Sequence, residues 1–173
     1  MNITINCNRI MIRPLTTEEL MNFLRYRNKK WILYDILVNE LIYDEVMAQA
    51  IKIKIQKMRS VSPVKHPWLT YWLMIEKTNK EAVGMIGFKH FPVNGIVEVG
   101  FGMAKLFEGQ GYMTEALNGL VQWAFSHKDC AKIIANTQKW NIASQRVLEK
   151  NRFKYIKMLD EILDYELEKT LDN

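Results

Sequence analysis

A pair of closely spaced glycines and a nearby glutamate are the features of this sequence that point to chemistry. The stretch Val97–Leu117, VEVGFGMAKLFEGQGYMTEAL, holds four of the eight glycines of the chain. Within it an apolar strand pattern breaks into a turn at Gly109 and Gly111, and a helical pattern follows. The first N–H groups of a helix have no partners inside the helix, and the positive end of the helix dipole lies there. We therefore predict that this turn binds a phosphate group through backbone donors.

Two well-known phosphate loops are excluded by the residues themselves. There is no GxxxxGK[ST] pattern, and Thr114 stands where a dinucleotide-binding fingerprint has its third glycine. What remains is a run of donors from Gly109 to Thr114, including the Thr114 hydroxyl, that can wrap a pyrophosphate. The alternative is a tight turn between strand and helix that binds no ligand.

The strand in front of the turn has one unusual face. Because side chains alternate along a strand, one face carries Val97, Val99, Phe101 and Met103, which suits burial under a helix. The other face carries Ile96, Glu98, Gly100 and Gly102. Two glycines beside one carboxylate predict an open groove with a single ionisable group, since glycine inside a strand often marks the close approach of a ligand.

Composition limits the class of protein. The 173 residues are 49% apolar and predict one domain over residues 1–173 with a full core. The net charge of +5 favours an anionic ligand, but basic and acidic residues are interspersed, so nucleic acid is not indicated. Cys7 and Cys130 are expected to be free thiols in a reducing cytoplasm. No apolar run approaches the roughly 20 residues of a membrane span, so we expect a soluble, cytoplasmic protein without membrane association.

The elements that must position the turn can be read from hydrophobic periodicity. Seven extended stretches are predicted, at Arg9–Pro14, Thr70–Lys77, Ala82–Phe91, Ile96–Met103, Lys132–Gln138, Phe153–Leu159 and Ile162–Leu167. Helices are predicted from Thr16 or Thr17 to about Asn28, from Gly111 to His127 and from Asn141 to Asn151. Hairpins followed by alternating helices and strands predict an α+β fold, with a mostly antiparallel twisted sheet of about seven strands and helices on both faces.

The region before the first hairpin is the hardest to read. Trp31–Tyr43 combines β-forming residues with leucines at helical spacing, and we predict a helix there. A second helix is predicted after Asp44 as its N-cap, with Lys54 and the other basic residues between Lys52 and Arg59 on a solvated face. Ser60–Pro67 is predicted to be a loop.

Two segments of the chain resemble the GNAT superfamily of acetyl-CoA-dependent N-acetyltransferases, in particular the branch of RimJ- and RimL-type ribosomal-protein acetyltransferases. They are VEVGFGMAKLFEGQGYMTEAL and NIASQRVLEKNRF, in the order and separation that this family shows, with a weaker match at RIMIRPLTTEEL. The resemblance covers residues from about Arg9 to Leu167. It implies a GNAT fold and acetyl-CoA as a substrate. The family's LGF sequence is NRF here, with Arg152 in place of the glycine.

The resemblance also implies where the coenzyme binds. Glu108–Met113 stands at the family's pyrophosphate loop, (Q/R)xxGx(G/A), with Glu108 in place of the usual Gln or Arg. Main-chain groups of Phe101 and Met103 would pair with the pantetheine arm, and one N–H there would polarise the thioester carbonyl. Asn141, which opens the second motif, would contact the pantetheine region; its simpler alternative role is a helix N-cap, and the two roles are compatible. The implied coenzyme-binding residues are Phe101, Gly102, Met103, Glu108, Gly109, Gln110, Gly111, Tyr112, Met113, Thr114, Asn141 and Ser144.

Acetyl transfer to an amine needs a base, an oxyanion donor and an acid for the departing thiolate. Glu98 is the candidate base, acting directly or through water, and its alternative role is an ion pair across the sheet. Many relatives have a tyrosine as the acid, at a position that aligns with Leu148. Ser144 is the substitute that the branch implies, and Tyr155 is a weaker candidate. No metal-binding spacing is present, and metal is not expected.

Three functions remain in competition. The first is acetyl transfer from acetyl-CoA to a primary amine, which would be a protein N-terminus, a polyamine or a small molecule; a homodimer is left open. The second is a non-catalytic acyl-CoA-binding or sensor module, favoured by the loss of the tyrosine at Leu148. The third, ranked last, is a nucleic-acid binder that uses the helix of Lys52–Arg59, which would show steep salt dependence.

Overall fold

The computed structural model describes residues 3–26, 29–39 and 45–170, which form ten β-strands and five α-helices. The strands are β1 Ile5–Asn6, β2 Ile10–Pro14, β3 Trp31–Leu33, β4 Ile36–Val38, β5 Trp72–Glu76, β6 Glu81–Phe88, β7 Ile96–Met103, β8 Lys132–Gln138, β9 Lys154–Leu159 and β10 Ile162–Glu168. The helices are α1 Thr17–Arg25, α2 Glu45–Arg59, α3 His66–Leu69, α4 Tyr112–Phe125 and α5 Ile142–Lys150. All seven strands expected from the sequence are present, and β1, β3 and β4 are additional.

The strands form one sheet in the order β1-β2-β5-β6-β7-β8-β10-β9, and the β3–β4 hairpin joins it through β4 and β6. The β7–β8 and β4–β6 pairs are parallel, and the other pairs are antiparallel. The mostly antiparallel mixed sheet is therefore confirmed. Its parallel β7–β8 pair separates the hairpins of the first half of the chain from the alternating helices and strands of the second half.

Each face of the sheet has its own apolar core. Side chains of α3, α4 and α5 pack on one face, with Trp72 and Met74 of β5 beneath them. Side chains of α1 and α2 pack on the other face, over Leu73 and Ile75 of the same strand. The alternation along β5 follows from the two-residue period of a strand, and all four side chains are fully buried. The helices on both faces are thus confirmed.

Local capping determines where α1 and α5 begin. Thr16 Oγ1 accepts from Glu19 N at 3.1 Å, and a Glu19 carboxylate oxygen accepts from Thr16 N at 2.8 Å, which is a complete capping box. Asn141 caps α5 by accepting from Ser144 N at 3.0 Å. Beyond the end of α5, Arg152 has φ of 65°, the left-handed conformation that favours glycine. This is the position that the resemblance aligns with the glycine of the LGF sequence.

The prediction of a helix over Trp31–Tyr43 was wrong. Residues 31–38 form the β3–β4 hairpin, which turns at Tyr34 and Asp35, where Tyr34 has φ of 59°. Leu37 and Val38 of β4 pair in parallel with the start of β6. The β-branched and aromatic residues of this stretch fit a sheet edge, and this long-range pairing overrides the helical spacing of its leucines. Residues 40–43 lie outside the described part of the chain.

Two smaller expectations also differ from the structure. The stretch Ser60–Pro67 contains a short 3₁₀ turn at Pro63–Lys65 and the first residues of α3, so it is not wholly a loop. Lys54 is buried rather than solvated, because α3 and the adjoining strand cover that side of α2. The proposed end of α1 near Asn28 and the cap at Asp44 fall outside the described residues. Within those residues, no helix is both long enough and apolar enough to cross a membrane.

Candidate functional site

The sheet opens between β7 and β8, and a cavity of about 430 Å³ lies where the two strands separate. Their ladder runs only from Ile96–Lys132 to Glu98–Ile134. Beyond that point β7 continues along β6 to Met103, while β8 continues along β10 to Gln138. The cavity is lined by Phe101, Gly102, Met103, Glu108, Gly109, Gly111, Met113, Thr114, Asn141, Ala143, Ser144, Arg146, Val147 and Lys150. The structure therefore brings together ten of the twelve expected coenzyme-binding residues.

The glycine turn forms one end of this cavity. Gly109 and Gly111 have φ of 75° and 84°, and Gly111 is the N-cap of α4. The first hydrogen bond inside the helix joins Glu115 N to Gly111 O at 3.2 Å, so the N–H groups ahead of it lie free of the helical ladder. A Cβ at Gly109 would meet no atom within 4 Å, which leaves its backbone open to a ligand. The turn thus presents backbone donors, as the sequence predicts.

The helix α5 adds positive charge that the sequence reasoning missed. Arg146 and Lys150 line the cavity together with Ala143 and Val147. These four residues follow the three- and four-residue spacing of one helix face, and that spacing from Asn141 onward is the signal that could have identified them. Glu108, an exposed acid, also lines the cavity. The described walls therefore hold two cations and one anion, which favours an anionic ligand.

Arg9 ties the first long strand to the glycine turn, a role that the sequence did not predict. Its Nη1 donates to Gln110 O at 2.9 Å, and its Nε lies 3.1 Å from Glu115 Oε2. Its guanidinium lies over the Tyr112 ring, 4.8 Å from the centroid. Gln110 and Tyr112, the two expected residues that do not line the cavity, therefore face Arg9 on the outside of the turn. Glu115 also accepts from the backbone N of Arg9 at 2.6 Å, which fixes the pair in place.

Glu98 lies where the strands begin to separate, and it is already paired. One carboxylate oxygen accepts from Lys89 Nζ and from Asn136 Nδ2, the latter at 2.9 Å. The face of Glu98 is the one predicted to form an open groove, and it turns towards α2: a Cβ at Gly102 would lie 3.4 Å from Met47 Cε. The ion pair anticipated as an alternative role is present. The role of Glu98 as a base remains a proposal.

The two candidates for the acid lie in different places. Ser144 lines the cavity on the first turn of α5. Tyr155 is on β9, and β8 and β10 stand between β9 and β7. At about 4.8 Å per strand, that separation is roughly 14 Å. Tyr155 is 54% exposed and its ring packs against Tyr165. The structure therefore brings Ser144 to the cavity but not Tyr155, while Leu148 is buried in the core.

Among residues 3–26, 29–39 and 45–170, no three His, Cys, Asp or Glu side chains form a group that could hold a metal ion.

Comparison with known proteins decides the family. The model of the acetyltransferase (GNAT) domain matches residues 9–154, which include the separated strands, the glycine turn and the whole of α5. This chain belongs to the GNAT acetyltransferase family. The GNAT assignment agrees with the two sequence motifs, and the matched range contains each residue that lines the cavity.

Individual relatives resemble the chain over only part of its length or at low sequence identity. An uncharacterized N-acetyltransferase of Bacillus subtilis (strain 168), YjdG, is 39% identical over 83 residues, which is 47% of this chain. Those residues make up 49% of the relative, so the GNAT chain spans about half the length of this curated protein. Among solved structures, the ribosomal-protein-S5-alanine acetyltransferase of Vibrio fischeri has a TM-score of 0.70 at 15% identity, covering 96% of this chain and 97% of its own.

A second structural neighbour was solved with a ligand. The ribosomal L7/L12 alpha-N-protein acetyltransferase RimL, in complex with coenzyme A, has a TM-score of 0.66 at 15% identity and covers 96% of this chain and 98% of its own. At these identities the likeness shows the fold alone. The neighbours nevertheless include both types of the branch expected from the sequence.

Proposed function

We propose that this GNAT chain transfers an acetyl group from acetyl-CoA to a primary amine by direct attack. The observation that carries the proposal is the cavity between β7 and β8, which has the glycine turn at one end. Glu98 does not line this cavity but belongs to the last β7–β8 pair before the two strands separate. An extended molecule with a pyrophosphate fits such a site, because the backbone donors of the glycine turn and the cations Arg146 and Lys150 line the same cavity. Binding of coenzyme A to the structural neighbour RimL supports the same ligand here.

The residues present fit the coenzyme. The backbone from Gly109 to Thr114 would hold the pyrophosphate, with Arg146 and Lys150 balancing its charge. Glu108 is exposed, so its carboxylate can turn towards water and away from the phosphates. The positive charge of Arg146 and Lys150 would take the place of the Gln or Arg side chain of the family pattern. Main-chain groups of Phe101 and Met103, on the edge of β7 that β8 has left, would hold the pantetheine arm.

The groups of this chain divide the proton chemistry between them. The thioester supplies an activated acyl group when the donor is bound. Glu98 takes a proton from the ammonium of the acceptor, directly or through water, because a primary amine is largely protonated at neutral pH. Asn136 keeps the carboxylate in place through its 2.9 Å hydrogen bond. The Ser144 hydroxyl, on the cavity wall, is the group available to protonate the thiolate.

A turnover assay tests the proposal. The protein is incubated with acetyl-CoA and a panel of amines that contains N-terminal peptides, polyamines and small metabolites, and thiol release is followed. Glu98→Gln should lower kcat by about 10²- to 10⁴-fold and leave the Kd for CoA unchanged. Asp35→Asn is the matched control, because Asp35 is also paired with a lysine, Lys80, but lies on the β3–β4 hairpin away from the cavity. Equal turnover by wild type and Glu98→Gln would refute Glu98 as the base.

A non-catalytic acyl-CoA-binding module is the second candidate. Two observations favour it: Leu148 fills the core where relatives have a tyrosine, and Glu98 is engaged by Lys89. In that case calorimetry would show CoA binding, and no amine of the panel would release thiol. Release of thiol with any amine, lost in Glu98→Gln, would exclude this candidate.

A further inference from the structure

Lys89 is paired with the candidate base Glu98. Its backbone N donates to Glu98 O at 2.9 Å, so Lys89, just past the end of β6, stands opposite Glu98 of β7 with the two side chains on one face. Its Nζ donates to Glu98 Oε1. Its side chain leans along the groove, since a Cβ at Gly100 would lie 3.9 Å from Lys89 Cε. The primary ammonium group of Lys89 is thus already hydrogen-bonded to the carboxylate of the candidate base.

We propose that Lys89 is itself an acceptor, so that the protein acetylates its own Lys89 when no other amine is present. The inference rests on the proposed function and adds a modification site to it. In this step Glu98 takes one proton from the Nζ ammonium, the nitrogen forms a bond to the acetyl carbon of acetyl-CoA, and the carbon–sulfur bond breaks. The nitrogen then loses a second proton. Of the two protons that it releases, one ends on the CoA thiolate and the other passes to solvent, so the products are N-acetyl-Lys89 and CoA.

The surroundings of Lys89 leave it free to react. Its side chain is 53% exposed, whereas that of Glu98 is 16% exposed, so the amine can move while the carboxylate stays. Asn136 holds Glu98 independently of Lys89. Lys57 Nζ donates to Lys89 O at 3.1 Å, which anchors the backbone and not the amine. Acetylation would remove the positive charge of Lys89 and end its ion pair with Glu98.

The chain contains a matched comparison in the pair Lys80–Asp35. Lys80 is as exposed as Lys89, at 59% of its side chain, and it also donates to a carboxylate. It lies next to the start of β6, whereas Lys89 follows the end of the same strand. Direct chemical acetylation by acetyl-CoA would modify both lysines alike. Enzymatic acetylation would modify Lys89, because only Lys89 is held beside Glu98 at the opening of the strands.

Site-resolved mass spectrometry of the full chain tests the inference. The protein is incubated with acetyl-CoA in the absence of amine, and acetylation is measured on the intact chain and after digestion. We expect one acetyl group per chain, on Lys89, formed about 100-fold faster than on Lys80 because the amine is held in place. The rate per chain should not depend on protein concentration. Lys89→Arg, which keeps the charge, should abolish the mass gain, and Glu98→Gln should slow it.

The outcomes separate the two proposals. Turnover of external amines without acetylation of Lys89 would overturn the inference and leave the proposed function standing. Equal labelling of Lys80 and Lys89, or a rate that rises with protein concentration, would also overturn it. The absence of both thiol release and acetylation would overturn the inference and the proposed function together. Since Lys89→Arg retains the ion pair, its thermal unfolding shows whether a lost signal reflects a folding defect.

Discussion

Removing the Arg9 guanidinium should weaken CoA binding while the protein stays folded. Arg9→Met keeps the alkyl stem but deletes the hydrogen bond to Gln110 O, the ion pair with Glu115 and the stacking on Tyr112. None of these contacts reaches the cavity directly. Their common effect is to hold the outside of the glycine turn, so the backbone donors on its inside are preorganised for an anion.

The size of the effect follows from the three contacts. The Arg9 side chain is 46% exposed, so its ion pair is screened by water and contributes no more than about 1 kcal/mol. The hydrogen bond to Gln110 contributes about 1 kcal/mol, and the stacking on Tyr112 about 0.5 kcal/mol at such an exposed site. We expect about half of the total loss to appear as lower stability of the folded protein. The other half appears on binding, when the loosened turn must be ordered, and corresponds to a roughly tenfold higher Kd.

Calorimetric titration with CoA measures this directly. Arg9→Met is compared with Glu115→Gln and with the double variant. In Glu115→Gln the oxygen of the side-chain amide can still accept from the backbone N–H of Arg9. If Arg9 and Glu115 act as a unit, the double variant should lose less than the two single losses added. Lys80→Met, which removes a remote exposed ion pair, should leave the Kd unchanged. A lower Tm with an unchanged Kd in Arg9→Met would refute the role in binding.

Three further outcomes can be checked on the purified protein. Gly111→Ala should destabilise the fold in urea unfolding by about 1–2 kcal/mol, because φ is 84°; Gly109→Ala, with φ of 75° but open space around its Cβ, should cost less. Burial, with help from neighbouring lysines, lowers the pKa of Lys54 to about 7 from 10.5. Unfolding restores the ordinary pKa of Lys54, so between these two pH values the unfolded chain binds more protons than the folded protein. The free energy of unfolding therefore rises with pH in this range, by at most about 1.4 kcal/mol per pH unit. Lys54→Met should lack this rise, and an identical pH slope in both proteins would contradict it. Burial raises the pKa of the Cys130 thiol to about 11, so iodoacetamide at pH 8 should label the half-buried Cys7 before Cys130.

What the sequence could predict was local. The turn at Gly109 and Gly111 is predictable because glycine adopts positive φ values more readily than other residues. The structure shows positive φ at both glycines. An N-cap was the alternative role predicted for Asn141, with Ser144 at the third helical position, and the hydrogen bond from Ser144 N confirms that cap. The strand with Glu98 on one face and Val97 on the other followed from a two-residue period. Each of these features depends on residues within a few positions of one another.

What the sequence could not predict depends on partners far along the chain. Arg9 contacts Gln110 across 101 positions, and no local pattern marks that distance. Lys54 is buried because its ammonium donates to carbonyls of Leu69 and Phe88, which only the packing of α2 brings near. The stretch from Trp31 was misread because its helical spacing and its β-forming residues conflict, and the parallel pairing of β4 with β6 decides the outcome.

The three-rung ladder between β7 and β8 also has a consequence for motion. It is the shortest connection along the main path of the sheet apart from the two-residue β1, and it joins two chain halves whose strands otherwise pair within themselves. Such a seam is where a protein opens locally at a cost below that of global unfolding. Within residues 99–103 and 134–138, the amide hydrogens that face the gap, rather than β6 or β10, should therefore exchange faster than those of β5 and β6. A molecule bound in the gap would form hydrogen bonds with the backbone groups that β7 and β8 no longer share. It would slow amide exchange on both strands and join the two halves of the chain into one cooperative unit.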